Sequence, residues 1–402
     1  MPQNPPGEPD RSQPDARQPL EPDGFQTGNV ITISTAHLVH DTYTAFVAPL
    51  LPVLIENFSL TKTLAGSLTI FTQLPSLLQP FIGHLADRIN LRPLVIFAPA
   101  ITGTLLSLIG VAPHYVFMAI LLLMAGFSSA ALHAIGPAMV GNISGKRLGQ
   151  GMSFWMVGGE LGRVLGPVVV VTALGYLTLS GLPWLMIGGV VVSVLLYFRL
   201  RNADGLSMPA SNGKSMWSVL RQMKPLLPLL MVVTARAFMS GALTTYLPTF
   251  LTDEGANLWF AGISLAVFEA AGVGGALLAG PISDRIGRGK VLLISLLTSP
   301  VFMLIFLSLH GWVQFPMLIL LGFTFISITP VVMAIVQEGY PENRALVNGI
   351  YMATSFLIRA GLIVVIGLIG DSYGLRIAFY ISALLMLLGA PMTLLLPRHR
   401  PA

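Results

Sequence analysis

Long apolar runs alternate with short polar connections along the chain from residue 30 onward. A helix needs about 20 consecutive apolar residues to cross a bilayer, and runs of that length predict twelve transmembrane helices. The longest polar connection, from Leu200 to Lys224, separates six runs from six. The predicted spans are 30–55, 64–84, 93–112, 116–141, 150–174, 181–199, 225–251, 258–281, 291–309, 313–337, 345–370 and 376–396. The pattern therefore predicts an all-α membrane protein in the lipid bilayer, built from two six-helix bundles.

The same pattern divides the chain into five segments. Residues 1–28 are rich in Pro, Asp, Glu, Gln and Gly and are predicted to be a disordered cytoplasmic tail. Residues 29–200 form the N-terminal bundle and residues 225–397 the C-terminal bundle. Residues 201–224 form a cytoplasmic linker between the bundles, and residues 398–402 form a second cytoplasmic tail.

Composition agrees with a membrane protein and narrows the function. Of 402 residues, 54% are hydrophobic and 10% are charged, whereas soluble domains carry about 25% charged residues. The net charge of +5 does not indicate a nucleic-acid partner, because Lys and Arg fall in short clusters between apolar runs. Cysteine is absent, which excludes disulfides and thiolate metal sites. Motifs of zinc hydrolases, serine hydrolases and phosphate-binding loops are also absent, so we expect neither an enzyme nor a bound cofactor.

The distribution of positive charge predicts the orientation. Lys and Arg concentrate in the cytoplasmic loops of membrane proteins, and here most of them fall on one side of the predicted bundle. The opposite side carries little beyond Lys62 and Arg376. We therefore expect a multi-pass protein of the inner (plasma) membrane with both termini in the cytoplasm.

One charged pattern occurs twice, 197 residues apart, after the second and eighth predicted spans. Its glycines permit close helix approach, and its aspartates can accept bonds from arginines or cap a neighbouring helix. The repeat predicts a gate, formed by contacts whose breaking lets the two bundles rock relative to each other. The alternative is that these charges only end helices at the membrane surface. The predicted gating residues are Gly83, Asp87, Arg88, Arg92, Gly280, Asp284, Arg285 and Arg288.

This six-plus-six layout with a G-x-x-x-D-R-x-x-x-R loop resembles the major facilitator superfamily over all of the chain after the tail. The first copy departs from the family pattern at Asn90, where a glycine is usual. The resemblance implies two bundles related by a pseudo-two-fold axis, alternating access, and transport driven by ion gradients rather than by ATP.

Four further stretches resemble the fosmidomycin-resistance branch of that superfamily, a group of proton-coupled drug exporters. They are His37-Leu-Val-His40-Asp41, Pro49-Leu-Leu-Pro52, Leu78-Gln79-Pro80 and Gly158-Gly-Glu-Leu-Gly162-Arg-Val-Leu-Gly166-Pro167. The last stretch also resembles, in part, the fifth-helix motif of proton antiporters. The alternative is that glycines at four-residue spacing only permit tight helix packing.

Charged residues inside predicted spans distinguish this chain from the branch. Glu160, Arg163, Glu269 and Arg359 stand where the branch usually carries uncharged residues. An unpaired charge at the membrane centre costs about 2.5–3.5 kcal/mol on insertion scales, so each of these residues needs a partner, water or a ligand.

The offset between the two gate copies relates charges in the two halves. Adding this offset to the number of Arg163 gives a position next to Arg359, and adding it to that of Asp41 gives a position near Arg236. Residues related in this way hold equivalent places in the two halves. Since transporter sites lie near the midplane between the halves, these three arginines are predicted to bind an anionic group. The alternative is structural pairing of the arginines with Asp41, Glu160 and Glu269. Candidate walls of the same cavity are Tyr43, Phe46, Gln73, Phe154, Tyr246, Gln337 and Tyr351.

Proton coupling requires a group that changes charge under working conditions. Asp41 is the first candidate because it lies well inside the first helix beside His40, and Glu269 is the second. The further candidates are His37, His40, His133 and Glu160. A rival interpretation makes His37, His40 and Asp41 a transition-metal site, against which the three nearby arginines argue.

These observations predict a monomeric secondary transporter that moves a small anionic or zwitterionic organic solute or drug by proton-coupled alternating access. Export by antiport is preferred on the resemblance to the exporter branch. The alternatives are proton-coupled symport that takes up an organic anion, and transport of a transition-metal cation through the histidine and aspartate residues of the first helix.

Overall fold

The computed structural model describes residues 24–86, 89–201, 227–338 and 344–396, and within these ranges every regular element is helical. The predicted gate residues Asp87 and Arg88 lie outside the described residues, as do most of the predicted tail and linker.

The first half of the structure consists of α-helices joined by short turns or 3-10 segments. They are α1 (Thr27–Thr44), α2 (Val47–Phe58), α3 (Lys62–Gln73), α4 (Gln79–Ala86), α5 (Arg92–Ser107), α6 (Tyr115–Ile143), α7 (Leu148–Leu177) and α8 (Met186–Leu200). The second half has the same construction. Its helices are α9 (Leu227–Gly241), α10 (Leu247–Asp253), α11 (Leu258–Ile286), α12 (Arg288–Ser308), α13 (Gln314–Ile326), α14 (Ile328–Glu338), α15 (Arg344–Tyr373) and α16 (Leu375–Leu387).

Eleven helices in the described part are long and apolar enough to cross a membrane. They correspond to eleven of the predicted spans, so the predicted count of twelve is not confirmed. The remaining predicted span, 64–84, is built as α3, a 3-10 segment Leu74–Leu78 and α4. Pro75 and Pro80 lack the amide hydrogen that a continuous α-helix needs, which accounts for the irregular middle of this stretch.

Successive spans run in opposite directions, which gives the molecule two faces. The distal face carries the connections at 59–61, 112–114, 178–181, 254–257, 309–311 and 374. The linker face carries the chain ends at Arg201 and Leu227. Side chains cap some of the helices that begin at the distal face: Thr61 accepts from the amide of Leu64 at 3.1 Å, and Asn257 accepts from the amide of Phe260 at 2.8 Å.

Each half packs around its own apolar core. The core of the second half includes Phe250 and Phe379, whose rings stack at 4.6 Å. The first half has one apolar cluster near each face, the distal one around Phe46 and the other around Trp155. Because the two halves have largely separate cores, they can move relative to each other without unfolding either one.

Helices α1 and α7 touch along a row of glycines, which we call the glycine seam. A Cβ at Gly158 would lie 2.4 Å from the carbonyl oxygen of Ser34, and one at Gly162 would lie 2.5 Å from that of Leu38. One turn further on, a Cβ at Gly166 would lie 2.5 Å from the carbonyl oxygen of Thr42. This is the tight packing that four-residue glycine spacing permits.

The two halves meet closely at the distal face. Asp371 on α15 accepts hydrogen bonds from the backbone amides of Lys62 and Thr63 at 2.6 and 3.0 Å, and so caps the first turn of α3 in the other half. Lys62 also pairs with Asp253 at 3.2 Å. Tyr246 is fully buried, and its hydroxyl donates to the carbonyl oxygen of Lys62. These contacts close the distal face.

The predicted gate at the linker face has a different geometry in this conformation. The close approach expected at Gly83 and Gly280 is not present, because no atom of the described residues lies within 4 Å of a Cβ built at either position. Arg92 donates to the carbonyl oxygen of Leu200, at the end of α8 in its own half. Asp284 pairs with Arg288 at 2.6 Å, one turn along the same stretch of chain.

The glycine seam predicts a strong difference between two glycines of α7. Gly162→Val should destabilise the protein by about 1–3 kcal/mol through overpacking against α1. Gly175→Val is the matched control, since nothing lies within 4 Å of a Cβ there, and both variants share the change in helix propensity from glycine to valine. Thermal unfolding in detergent measures the difference. Equal shifts for the two variants would contradict the seam.

The cap supplied by Asp371 predicts control of distal opening. The chain has no cysteine, so Val171→Cys introduces a single label site at a buried residue that packs on Gly262 of the other half. Asp371→Asn removes the charge that caps α3, and the rate of labelling by a membrane-impermeant maleimide should rise several-fold.

The matched control for this experiment is Glu254→Gln, a second acid at the distal face. Two hydrogen bonds from Arg376 hold the pKa of Glu254 below its ordinary value of 4.5, so this carboxylate is ionised and paired at pH 7. Both partners belong to the same half, and the change should leave the labelling rate unaltered. A rate that rises equally in both variants would show that Asp371 does not hold the halves together.

Candidate functional site

A cluster of histidines around one carboxylate, the histidine–aspartate cluster, lies inside the first half. Asp41 on α1 has its carboxylate 3.3 Å from Nε2 of His37, 3.7 Å from Nε2 of His133 and 3.9 Å from Nε2 of His40. His37 and Asp41 share a face because they are one helical turn apart. Asp41 and His40 are buried, whereas the side chain of His133 on α6 is 29% exposed. All four predicted residues of this cluster are thus brought together.

The backbone orients two of these imidazoles. Nδ1 of His37 donates to the carbonyl oxygen of Trp155 on α7, and Nδ1 of His133 donates to that of Ser129, each at 2.9 Å. The ring of Trp155 also stacks on His37 at 3.9 Å, in the space that Gly159 leaves beside it. Trp155 was not predicted, since its contribution is a backbone carbonyl and a ring face that the sequence pattern does not reveal.

These hydrogen bonds determine which ring nitrogens carry hydrogen. A carbonyl oxygen only accepts, so Nδ1 is protonated in both His37 and His133. The two Nε2 atoms therefore present lone pairs in the neutral rings, and they face each other at 3.2 Å beside the carboxylate of Asp41. Three electron-pair donors converge, and a proton or another cation between them removes the repulsion.

A second cluster, the arginine–glutamate cluster, joins the two halves. Arg163 on α7 donates to Glu160 on the same helix, and its Nε lies 3.7 Å from the carboxylate of Glu269 on α11. For Arg163 the structure therefore contains the pairing with glutamates that the sequence left as an alternative. Asp41 takes no part in that pairing, because its closest titratable neighbours in the described part are histidines.

Arg236 on α9 and Arg359 on α15 complete this cluster from the second half. Glu269 acts electrostatically on both of them, as it does on Arg163. Arg236 donates to the hydroxyl of Thr329 at 2.9 Å and lies 4.6 Å over the ring of Phe325. The Nε atoms of Arg236 and Arg359 are buried with no hydrogen-bond partner among the described residues. Thr329 and Phe325 were not predicted, since neither carries a charge that marks it in the sequence.

Arg163 connects the two clusters. It lies within electrostatic reach of Asp41 and of His133, in addition to its two glutamate partners. Both clusters occupy the central part of their helices, where water screens charges less than it does at the membrane surface. A change of charge in the histidine–aspartate cluster therefore alters the field at the arginines.

Several predicted cavity walls belong to helix packing instead. Phe46 and Tyr43 are buried in the core of the first half, and the hydroxyl of Tyr43 bonds to the backbone of Leu185 and Gly189. Tyr246 is part of the distal contact between the halves. Their rings are apolar surface that a helix bundle buries before a cavity can use it.

The other predicted wall residues have varied surroundings. Phe154 is 37% exposed, and Gln73 donates to the carbonyl oxygen of Thr69. Tyr351 acts electrostatically on Arg236 and so lies near the arginine–glutamate cluster. The side chain of Gln337 lies outside the described residues.

The ligand set of the alternative metal site is also corrected. The atoms that lie within 4.8 Å of one another belong to His37, Asp41 and His133, not to His37, His40 and Asp41. His40 directly precedes Asp41 on α1, so its ring projects about 100° around the helix from the carboxylate. His133 reaches the carboxylate from α6.

A family model described as Major Facilitator Superfamily matches residues 33–361 and, in a second match, residues 262–402. The chain belongs to the major facilitator superfamily. It is a multi-pass membrane transporter of small molecules and not an enzyme. This confirms the fold class, the family resemblance and the general activity predicted from the sequence.

Two relatives resemble the chain in sequence, and three solved structures resemble it in fold. It is 26% identical to the fosmidomycin resistance protein of Escherichia coli (strain K12) over 92% of each chain, and 26% identical to the uncharacterised MFS-type transporter YfnC of Bacillus subtilis (strain 168) over 90% of each. The fold matches a bacterial homologue of the lysosomal transporter Spinster, in an inward-facing and occupied conformation, with a TM-score of 0.78 at 14% identity, covering 92% of this chain and 96% of that one. It also matches the nucleoside transporter NupG with a TM-score of 0.75 at 13% identity, covering 91% of this chain and 98% of that one. The match to a D-xylose–proton symporter has a TM-score of 0.71 at 16% identity and covers 93% of this chain and 98% of that one.

The arginine–glutamate cluster predicts that its two acids are not equivalent. Glu269→Gln removes the acid that acts on all three arginines. Breaking a fully buried ion pair costs about 3–5 kcal/mol, and the loss of stability here should be smaller because the side chain of Arg163 is 42% exposed. Glu160→Gln should cost less, because Arg163 keeps Glu269. Thermal unfolding of the solubilised variants measures this order. An equal or reversed order would show that Glu269 is not the shared acid of the three arginines.

Proposed function

We propose that this transporter exports small anionic or zwitterionic organic solutes, drugs among them, in exchange for protons by alternating access. The relationship to the fosmidomycin resistance protein supports drug export. We further propose that the protein is a monomer of the inner (plasma) membrane with both termini in the cytoplasm, in agreement with the positions of its Lys and Arg residues.

The observation that carries the substrate class is the charge of the arginine–glutamate cluster. Arg163, Arg236 and Arg359 face two glutamates, so among the described residues of this cluster one positive charge remains without a partner in the central part of the helices. An uncompensated charge at that depth is costly, and guanidinium groups bind carboxylates, phosphates and phosphonates through two parallel hydrogen bonds. The unpartnered Nε atoms of Arg236 and Arg359 are available to such a group.

The histidine–aspartate cluster supports the coupling to protons. His37, Asp41 and His133 bring three electron pairs together that one proton can bridge. A zwitterionic solute fits an exchange mechanism, because its cationic group and the proton are both attracted to Asp41 while its anionic group binds the arginines. Binding of one then favours release of the other.

The gate residues of the linker face complete the proposal. Asp284, Arg285 and Arg288, with Gly83, Arg92 and Gly280, are proposed to form contacts between the halves when the linker face closes and the distal contacts of Asp371 and Tyr246 separate. The short ion pair between Asp284 and Arg288 lies at the end of α11, where such an exchange of partners would occur.

Symport of a purely anionic solute is the second candidate function, and one observation favours it. Arg163 lies within electrostatic reach of Asp41. For a solute with no cationic group, a proton on Asp41 strengthens the attraction of the arginines for the anion, so proton and solute travel in the same direction.

Proton flux in liposomes distinguishes these mechanisms. The protein is reconstituted with a pH-sensitive dye inside, and fosmidomycin, an anionic phosphonate, or a zwitterionic amino acid mixture is added outside. Exchange predicts that solute entry drives protons out of the liposome, whereas symport predicts proton entry. Asp41→Asn should abolish the signal, and Glu56→Gln, an exposed acid of the same span, should retain it. Absence of any proton movement with solutes that bind would refute the coupling.

A further inference from the structure

The histidine–aspartate cluster has the geometry of a metal-binding site as well as that of a proton site. The facing groups are Nε2 of His37, Nε2 of His133 and the carboxylate of Asp41. The two nitrogens are 3.2 Å apart, Nε2 of His37 lies 3.3 Å from Oδ2 of Asp41, and Nε2 of His133 lies 3.7 Å from Oδ1. Ligands at 2.0–2.2 Å from a tetrahedral Zn²⁺ ion are about 3.3 Å apart.

The surroundings prepare these atoms for a metal ion. Metal-binding histidines usually donate the other ring N–H to a carbonyl or carboxylate, which fixes the ring and leaves a lone pair for the ion. Both imidazoles do so here: His37 donates to the carbonyl oxygen of Trp155, and His133 to that of Ser129. The stacked ring of Trp155 holds His37 in this orientation.

Charge and access are also compatible with a cation. The arginines argued against a metal at the sequence level, but Arg163 is paired with Glu160 and Glu269, whereas Asp41 is left to the histidines. The side chain of His133 is 29% exposed, and this exposed side gives an ion a route to the cluster and leaves room for water as a fourth ligand.

We propose that His37, Asp41 and His133 form a binding site for one divalent transition-metal ion of the Zn²⁺ or Co²⁺ class, and that the ion inhibits transport by occupying the place of the transported proton. Two imidazoles and a carboxylate suit these metals. The inhibitory part rests on the proposed function, since it requires that the proton binds at this cluster; binding itself does not.

Direct titration with metal tests the site without reference to transport. The full chain, purified with a tag that contains no histidine, is titrated with Co²⁺ in detergent, and the visible absorption of the ion is recorded. One Co²⁺ per chain with the intense bands of four-coordinate cobalt is the expected result, displaced by Zn²⁺. His37→Gln and His133→Gln should each weaken binding more than ~10-fold.

His310→Gln provides the matched control, because His310 lies in a connection at the distal face and should not affect binding. Gel filtration and thermal unfolding establish that each variant is folded, and His133→Gln, at the part-exposed position, is the variant expected to fold most readily. Absence of stoichiometric binding in the unaltered protein would overturn the proposal, as would binding that survives in His37→Gln/His133→Gln.

Transport measurements then test inhibition separately. Zn²⁺ should block the proton flux of the unaltered protein and of His310→Gln at concentrations that saturate the site. If Co²⁺ binds as expected but proton flux is absent with every solute, the proposed function fails and the metal site stands. If flux is present and Zn²⁺ binds at the cluster without reducing it, the inhibitory role is refuted.

Discussion

The backbone contact between α1 and α7 is the constraint on which the rest of this transporter depends. Three glycines let α7 lie against carbonyl oxygens on three successive turns of α1, a distance that no residue with a side chain permits. Only at that separation does the carbonyl oxygen of Trp155 reach His37 at 2.9 Å. The same approach holds Arg163 near Asp41, so the geometry of the histidine–aspartate cluster and its distance from Arg163 follow from the absence of three side chains.

A low-dielectric interior makes these charges dependent on one another. Glu269 serves arginines that come from α7, α9 and α15, and so from both halves of the molecule. Any motion that separates the halves therefore lengthens at least one of these interactions. Water, a solute or a proton must then compensate the charge that loses its partner. The residues that join the halves in this cluster are therefore also those proposed to bind a charged solute.

The sequence predicted the helical architecture, the superfamily and the membership of both charged clusters, because each leaves a local signal. Apolar run length, a duplicated loop and charges inside apolar runs can all be recognised without a structure. The offset between the repeats related Arg163 to Arg359, and both lie in the arginine–glutamate cluster; Asp41 and Arg236, which it also related, lie in different clusters. What could not be predicted depends on the direction of side chains. Tyr43 and Tyr246 turn into packing contacts between helices. His133, rather than His40, completes the group with His37 and Asp41, because it approaches from another helix. Trp155, Thr329 and Phe325 act through a carbonyl, a hydroxyl and a ring face, which carry no distinguishing pattern.

The carboxylate of Asp371 binds two backbone amides of α3 and the hydroxyl of Thr63. Every amino acid except proline presents the same amide, so two of these three bonds do not depend on which residues occupy positions 62 and 63. The third requires a hydroxyl at position 63, and the opposite side of the contact depends on a single acid. The two sides of this distal contact therefore tolerate substitution unequally, because one is mainly backbone and the other is one side chain.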